Sequence, residues 1–361
     1  KNRTFQLGDF TNINSRNFTL LGDPAIQLSY PTYRANIQTI NDLPLSADRD
    51  TLKSLSLVSL EGTINDLQGF LIENYTGELD VTVFDKPSRF TTRLSDFSFD
   101  WRKNRIFSGK ATVENGNFQV SFKVPLDISY DDGTGKISLY FSNLEVDGAG
   151  CYNNVFIGGT DTNAPTDDEG PAIELFLNDK NWQEGGITDS NPILLVDVSD
   201  ESGINTVGSG IGHELIGILD GDNSNPIILN DFYSAAKDDF TRGSVDYRLR
   251  ELEEGTHNIL VRVWDGANNP SEAITTFIVV SDENMALNQV LNYPNPAILG
   301  EETVFKIGHN QAGKNLIAEI EVFDTQGRSV RLLSAEFTAS GNNFEGIRWD
   351  GANSAGSQLS P

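Results

Sequence analysis

The 361-residue sequence predicts an all-β protein of tandem β-sandwich modules. Three observations lead there. Apolar side chains alternate with period two in short segments, and Gly, Asn, Asp and Ser break the chain about every ten residues. The length also exceeds what one core usually supports, since roughly 150 residues per domain gives two or three units. A hydrophobic content of 38% with 22% charged residues suits several small cores joined by tight turns.

Taken in order, residues 1–35 read as the tail end of an upstream domain. Asn17 to Pro31 is strand-like and apolar, with too few residues around it to bury both faces. Residues 36–160 read as a first β-sandwich. Its segments 52–60 (L-K-S-L-S-L-V-S-L), 79–84, 118–124 and 137–146 alternate as strands with one buried face do. Asn115-Gly116-Asn117 and Asp131-Asp132-Gly133-Thr134-Gly135 are expected to supply turns with positive φ. Residues 161–171 are rich in Pro, Gly and acid, the composition of an interdomain linker.

Residues 172–283 follow as a second sandwich. It closes with two strands, His257 to Asp265 and Glu272 to Val280, across Gly266-Ala267-Asn268-Asn269-Pro270, a frequent ending of an immunoglobulin-like sandwich. Helix is scarce, with Asp231 to Asp239 long enough for one or two turns. Residues 284–361 make a last immunoglobulin-like module, with a hairpin turn at Thr325-Gln326-Gly327. It is expected to be incomplete, because no returning strand follows the turn at Trp349 to Gly356. The pentapeptide W-D-G-A-N occurs at 264–268 and again at 349–353. A shared strand-to-turn solution is expected, with Trp at the core edge and Asp-Gly in the turn. The fold class is therefore all-β: tandem immunoglobulin-like β-sandwich modules with truncated pieces at both chain ends.

The formal charge of −26 is spread along the chain. It argues against nucleic acid or an anionic membrane as the main partner, since both call for a cationic face, and it is compatible with bound Ca²⁺. Cys151 is the single cysteine, which excludes an intramolecular disulfide and a Cys-rich zinc site. No apolar run approaches the roughly 20 residues of a membrane-spanning helix, so direct membrane insertion is not expected. No signal segment opens the chain at Lys1, and an internal or processed piece of an exported protein is the expectation.

Five oxygen-bearing residues gather in the linker: Asp161, Asn163, Asp167, Asp168 and Glu169. They are candidate Ca²⁺ ligands that would stiffen the joint between two sandwiches; the other reading is a solvated hinge. Asp220, Asp222, Ser224 and Asp231 echo the first ligands of an EF-hand loop. Asn225 stands where that loop needs Gly and no helices flank it, so a β-turn is preferred. Gly208 to His213 (G-S-G-I-G-H) lacks the Lys and Ser/Thr of a phosphate loop and reads as a mobile loop. Cys151 and His213, His257 and His309 share no local dyad motif, and a lone Cys reads as a small buried apolar residue. Trp182, Tyr233 and Phe240 serve either glycan stacking or a core.

Gly170 to Val280 carries a resemblance. G-P-A-I-E-L-F-L-N-D, G-G-I-T-D-S-N-P-I-L-L-V-D-V-S-D-E-S-G-I-N, G-S-G-I-G-H-E-L, I-L-D-G-D-N-S-N-P and E-G-T-H-N-I-L-V-R-V-W-D-G-A-N-N resemble the C-terminal, non-catalytic region of gingipain-family cysteine peptidases of the type IX secretion sortase kind. L-G-D-P at 21–24 looks like the closing strand of the family's catalytic domain. Y-P-N-P at 293–296 and the later W-D-G-A-N look like the modules near the ends of such exported proteins, without their usual final Gly-x-Tyr strand.

The resemblance implies a bacterial outer-membrane surface protein whose upstream peptidase domain removes C-terminal sorting domains from cargo and attaches the cargo to lipopolysaccharide. Its implied partners are that domain, outer-membrane secretion components and cargo sorting domains. No stretch of this sequence matches the family's catalytic Cys and His motifs, so no catalytic residue is assigned. A carbohydrate-binding or adhesin-type β-sandwich array of a secreted surface protein is the alternative.

Overall fold

The period-two segments fold as strands. In Leu57–Asp66, Val58, Leu60 and Ile64 are fully buried, and Phe118, Val120 and Phe122 alternate inward along Asn117–Lys123. Each such side chain contributes roughly 1.5–3 kcal/mol on burial, and a one-residue slip would turn the whole set to water. Pattern thus fixes register as well as element type. The computed structural model describes residues 31–45, 51–93, 97–129, 132–143, 145–207, 212–281, 285–298 and 300–359. The L-G-D-P segment at 21–24 lies outside them.

Seven strands close on themselves in the first unit. In order they are Arg105–Glu114, Gly77–Phe84, Lys136–Ser142, Asp147–Tyr152, Tyr33–Ile40, Leu57–Asp66 and Asn117–Lys123. The last returns to the first through Val113 opposite Phe118 and Glu114 opposite Asn117. Asn115 (φ 51) and Gly116 (φ 74) make that two-residue turn, the left-handed pair a tight hairpin demands.

Two local expectations are corrected here. Residues 52–60 are not one strand, because Leu55 at φ 64 divides them into Thr51–Ser54 and Leu57–Asp66, which belong to different sheets. Gly133–Thr134 is a short strand paired with Phe156 and Ile157 rather than a positive-φ turn. Gly135 serves close approach instead: a Cβ there would stand 2.2 Å from Ile157 Cδ1.

In the second unit, Ala172–Leu177, Ile193–Ser199, Asp239–Arg248 and Tyr233–Ala236 form one sheet. Ile187–Thr188, Pro270–Val279, Gly255–Trp264, Ile216–Leu219 and Ile227–Ile228 form the other. The helix expected over Asp231 to Asp239 is a single 3-10 turn, Asn230–Phe232, followed by the strand Tyr233–Ala236. Tyr233 and Ala235 alternate into the core, and that burial outweighs local helix propensity.

The same strand joins the units, because Ala235 pairs in parallel with Gly109. A Cβ on Gly109 would lie 3.0 Å from that of Ala235, so the glycine lets the two backbones meet. One sheet of twelve strands therefore runs through both units, and one cluster of buried side chains extends from Ala35 to Val279.

The last unit is thinner. Leu287–Tyr293, Thr303–His309 and Asn343–Trp349 form a sheet beside the hairpin Asn315–Phe323 and Ser329–Thr338, in which exposed and half-buried positions alternate. Asn342 fastens it to the second unit: its backbone N–H donates to Asp179 Oδ2 (2.8 Å) and its Nδ2 donates to the Ile187 carbonyl (3.0 Å).

Candidate acidic centre at the sandwich joint

The linker acids are spent in two ways. Asp161 Oδ1 accepts the Asn163 N–H and Asp167 Oδ1 accepts the Glu169 N–H, the local turns short acidic side chains favour. Asn163, Asp168 and Glu169 are exposed. Among the described residues, Asp167 is the one of the five candidates found in a three-carboxylate cluster, and its companions are Asp200 and Asp265. One carboxylate oxygen from each lies within 4.8 Å of the other two.

Each companion is placed by the end of a strand. Asp200 follows Ile193–Ser199 and accepts the Ser202 N–H at 2.7 Å. Asp265 follows Gly255–Trp264 and is fully buried. It accepts the N–H groups of Ala267 (3.0 Å) and Asn269 (2.6 Å) and the Asn269 side-chain amide (2.8 Å). Gly266 packs so tightly that a Cβ would stand 2.4 Å from the Ser202 carbonyl oxygen.

The first sandwich reaches the centre too. Lys123 Nζ donates to Ser202 Oγ (2.8 Å), Ser202 Oγ donates to Asp167 Oδ2, and the Leu126 N–H donates to the Gly266 carbonyl (2.8 Å). Linker and both sandwiches thus meet at one point.

Electrostatics there are unfavourable at neutral pH. Burial pushes Asp200 up from 3.8 to about 6, with the charges of Asp265, Asp167 and Glu201 adding to it. Asp265 is also raised, chiefly by burial, although its hydrogen bonds from Asn269 pull the other way. Among the described residues no cation lies within 4 Å of the three. An oxygen-only set of this kind suits a hard divalent cation such as Ca²⁺ and offers nothing to zinc's usual nitrogen and sulfur preference.

A pH dependence follows, with a definite sign. A carboxyl whose folded pKa is raised holds its proton more firmly in the folded state, so stability falls as pH climbs from about 3.8 through about 6. Asp200→Asn keeps the oxygen that accepts the Ser202 N–H. In metal-free protein it raises stability at pH 8 by about 1 kcal/mol, solvent screening limiting the effect, and the gain shrinks toward zero at pH 4. Urea unfolding of both proteins across this range measures the difference.

The joint has a second polar cluster beside the first. Asp127 accepts from Asn268 Nδ2 (2.7 Å) and Asn205 Nδ2 (3.1 Å), and its Oδ2 lies 2.6 Å from His213 Nδ1. The His213 ring rests 4.2 Å from that of Trp264. Residues 208–211 of the Gly-rich segment lie outside the described residues. His257 is bound to Asp220 (2.7 Å) and the Glu253 carbonyl (2.8 Å), whereas burial holds buried His309 below its ordinary pKa.

Cys151 lies exposed on Asp147–Tyr152, against the expectation of a buried thiol, because its side chain falls on the solvent face of an alternating strand. Asn153 Nδ2 is its hydrogen-bond partner at 3.7 Å.

The remaining candidates are dispersed. Asp220 (φ 50) and Gly221 (φ 73) form a turn, Asp222 accepts from Ser224, and Asp231 pairs with Arg105 at 2.5 Å. Tyr233 is buried, while Trp182 and Phe240 are half-buried. Sequence reasoning missed Asp200 and Asp265. The repeated W-D-G-A-N was the signal available for Asp265, and nothing local marks Asp200.

The fold and this joint define an all-β protein of tandem sandwiches. No family model matches the chain, and no curated protein matches it. Among solved structures it is similar to dimeric latent PorU from Porphyromonas gingivalis, with 30% identity over 94% of this chain and a TM-score of 0.44. The chain spans about a third (32%) of the length of that PorU chain. It is also similar to the fibronectin(III)-like modules of CbhA from Clostridium thermocellum (11% identity, 68% of this chain and 94% of that one, TM-score 0.19). A further match is a bacterial ice-binding adhesin (12% identity, 92% and 96% of the two chains, TM-score 0.19).

Proposed function

We propose that this chain is the non-catalytic β-sandwich region of a cell-surface sortase of the type IX secretion system. In this reading it positions an upstream gingipain-family cysteine peptidase domain, which removes cargo sorting domains and attaches the cargo to lipopolysaccharide at the bacterial outer-membrane surface. Its partners are that domain, outer-membrane secretion components and cargo sorting domains. The motifs quoted between Gly170 and Val280 suggest the class.

The observation that carries the positioning role is the joint. Thr112 N–H donates to Asp238 Oδ1 (2.7 Å), Thr206 Oγ1 to the Arg105 carbonyl (3.1 Å) and Lys123 to Ser202 (2.8 Å), so hydrogen bonds cross between the sandwiches at several separated points. A platform held in this way keeps a fixed geometry between whatever is attached at its two ends. Calcium belongs to the same proposal, with Asp167 joined by Asp200 and Asp265 rather than by the other linker acids.

The test pairs this chain with a cargo protein bearing its sorting domain. The chain alone leaves the cargo intact, whereas protein that also carries the upstream domain cleaves it. Cleavage by the chain alone that disappears in Cys151→Ser would overturn the proposal.

A further inference from the structure

One segment departs from the acidic character of the chain. Between Lys86 and Arg105 stand six basic residues and two acidic ones, in a protein whose formal charge is −26. Lys86 is buried against Asp85 and Arg105 is paired with Asp231, while Lys103 and Arg93 are exposed.

The segment contains the strands Ser88–Thr91 and Ser98–Trp101, which pair with each other as a two-stranded sheet of their own. Their register sorts the side chains by chemistry. Phe90 stands opposite Phe99 and Ser88 opposite Trp101, whereas Arg89 faces Asp100 and Thr91 faces Ser98. Directly opposed residues share a face, so one side is aromatic and the other polar.

On the aromatic side the rings make a chain of contacts from Phe97 to Phe99 to Phe90 to Trp101, with centroids 5.2 to 6.4 Å apart. Phe97 is 63% exposed, Phe99 41% and Trp101 50%. Lys103 Nζ lies 5.6 Å from the Phe90 ring centre. On the polar side Arg89 bonds Asp100 (3.2 Å) and the Thr91 and Ser98 hydroxyls bond each other (2.8 Å).

We propose that this hairpin docks the chain on the interface of an anionic lipid bilayer, aromatic face inward. Aromatic rings favour the headgroup boundary, and flanking Lys and Arg are drawn to anionic lipid. A sugar platform would set several hydrogen-bonding groups beside the rings, yet of the paired residues Ser88 is the one polar side chain on that face, while Arg89, Asp100, Thr91 and Ser98 lie on the other and satisfy one another. The acidic total does not forbid contact, since charges farther than about 10 Å away are largely screened at 0.1 M salt. The exclusion of an anionic membrane drawn from total charge therefore gives way locally.

The test is co-sedimentation of the full chain with vesicles of phosphatidylglycerol and phosphatidylcholine in equal parts, against pure phosphatidylcholine. The chain binds the anionic vesicles, weakens as NaCl rises from about 50 to 500 mM, and loses at least about tenfold in affinity in the triple variant Phe97→Ser, Phe99→Ser, Trp101→Ser. Circular dichroism and melting temperature confirm that this variant stays folded, and Arg93→Glu with Lys103→Glu weakens binding without touching a ring. Brominated lipid quenches tryptophan emission in the parent and far less in Trp101→Phe. Absence of binding to anionic vesicles, or equal binding by the triple Ser variant, overturns the proposal. So does ring-dependent binding to soluble oligosaccharides or to a second copy of the chain in place of vesicles.

Discussion

Replacing Phe122 by alanine lowers stability by about 3–5 kcal/mol, the cost of opening a large cavity in a packed core. Phe122 is fully buried and stacks on Phe107 at 4.9 Å, with ring planes 14° apart. The Phe107 ring in turn lies against the backbone of Gly109, where the first sandwich meets Ala235 of the second. The cavity therefore opens at the seam between units. Urea unfolding followed by circular dichroism is expected to keep one transition and its slope while the midpoint falls. A new early transition with the slope divided in two would show that the seam carries little of the stability.

Asp265→Ala costs about 2–4 kcal/mol, and Asp350→Ala, at the matching place in the second W-D-G-A-N, costs well under 1 kcal/mol. One contact is shared, since each aspartate accepts the N–H of the alanine two residues on at 3.0 Å. The turns differ, however: the left-handed residue is Asn268 (φ 74) in the first and Gly351 (φ 78) in the second, against the expectation of a shared strand-to-turn solution. Burial separates them: Asp265 is fully buried and Asp350 is exposed. Removing the first takes the acceptor from the N–H groups of Ala267 and Asn269 inside the joint and leaves the Asn269 side-chain amide only the Asp167 carbonyl, whereas water replaces the second. Asp265→Asn sits between, because it keeps one acceptor oxygen and relieves the repulsion from Asp167 and Asp200. Melting temperatures of the three variants, measured in the same buffer, give the order directly.

Much of the fold is legible in the sequence because burial and alternation are the same fact in a strand. Leu60, Ile64, Val120 and Phe122 announce both their strand and the face it buries. What alternation cannot show is a backbone reversal without Gly or Pro. Leu55, at φ 64, broke a segment whose apolar pattern ran straight through it. Nor can it say which glycine turns and which makes room: Gly116 does the first, Gly135 and Gly109 the second.

The acidic centre was half visible. Asp167 stood out in an acidic linker almost free of apolar side chains, but its companions lie 33 and 98 positions later and are brought to it only by the sandwich topology. The aromatic hairpin went unread, although F-S-F-D-W at 97–101 alternates with period two. Period two states that such a strand has two unlike faces, not which of them is left to solvent.

The rigid joint between the first two sandwiches is tested most directly by hydrogen exchange in Val261→Ala. Val261 is fully buried in the second sandwich, and its truncation costs about 2 kcal/mol. If the two sandwiches unfold as one body, the slowest amides of Tyr33–Ile40, three strands round the closed sheet from the Arg105–Glu114 strand that meets the second sandwich, exchange at least about tenfold faster in the variant. Unchanged protection there, with faster exchange confined to residues 172–279, would contradict a single rigid platform.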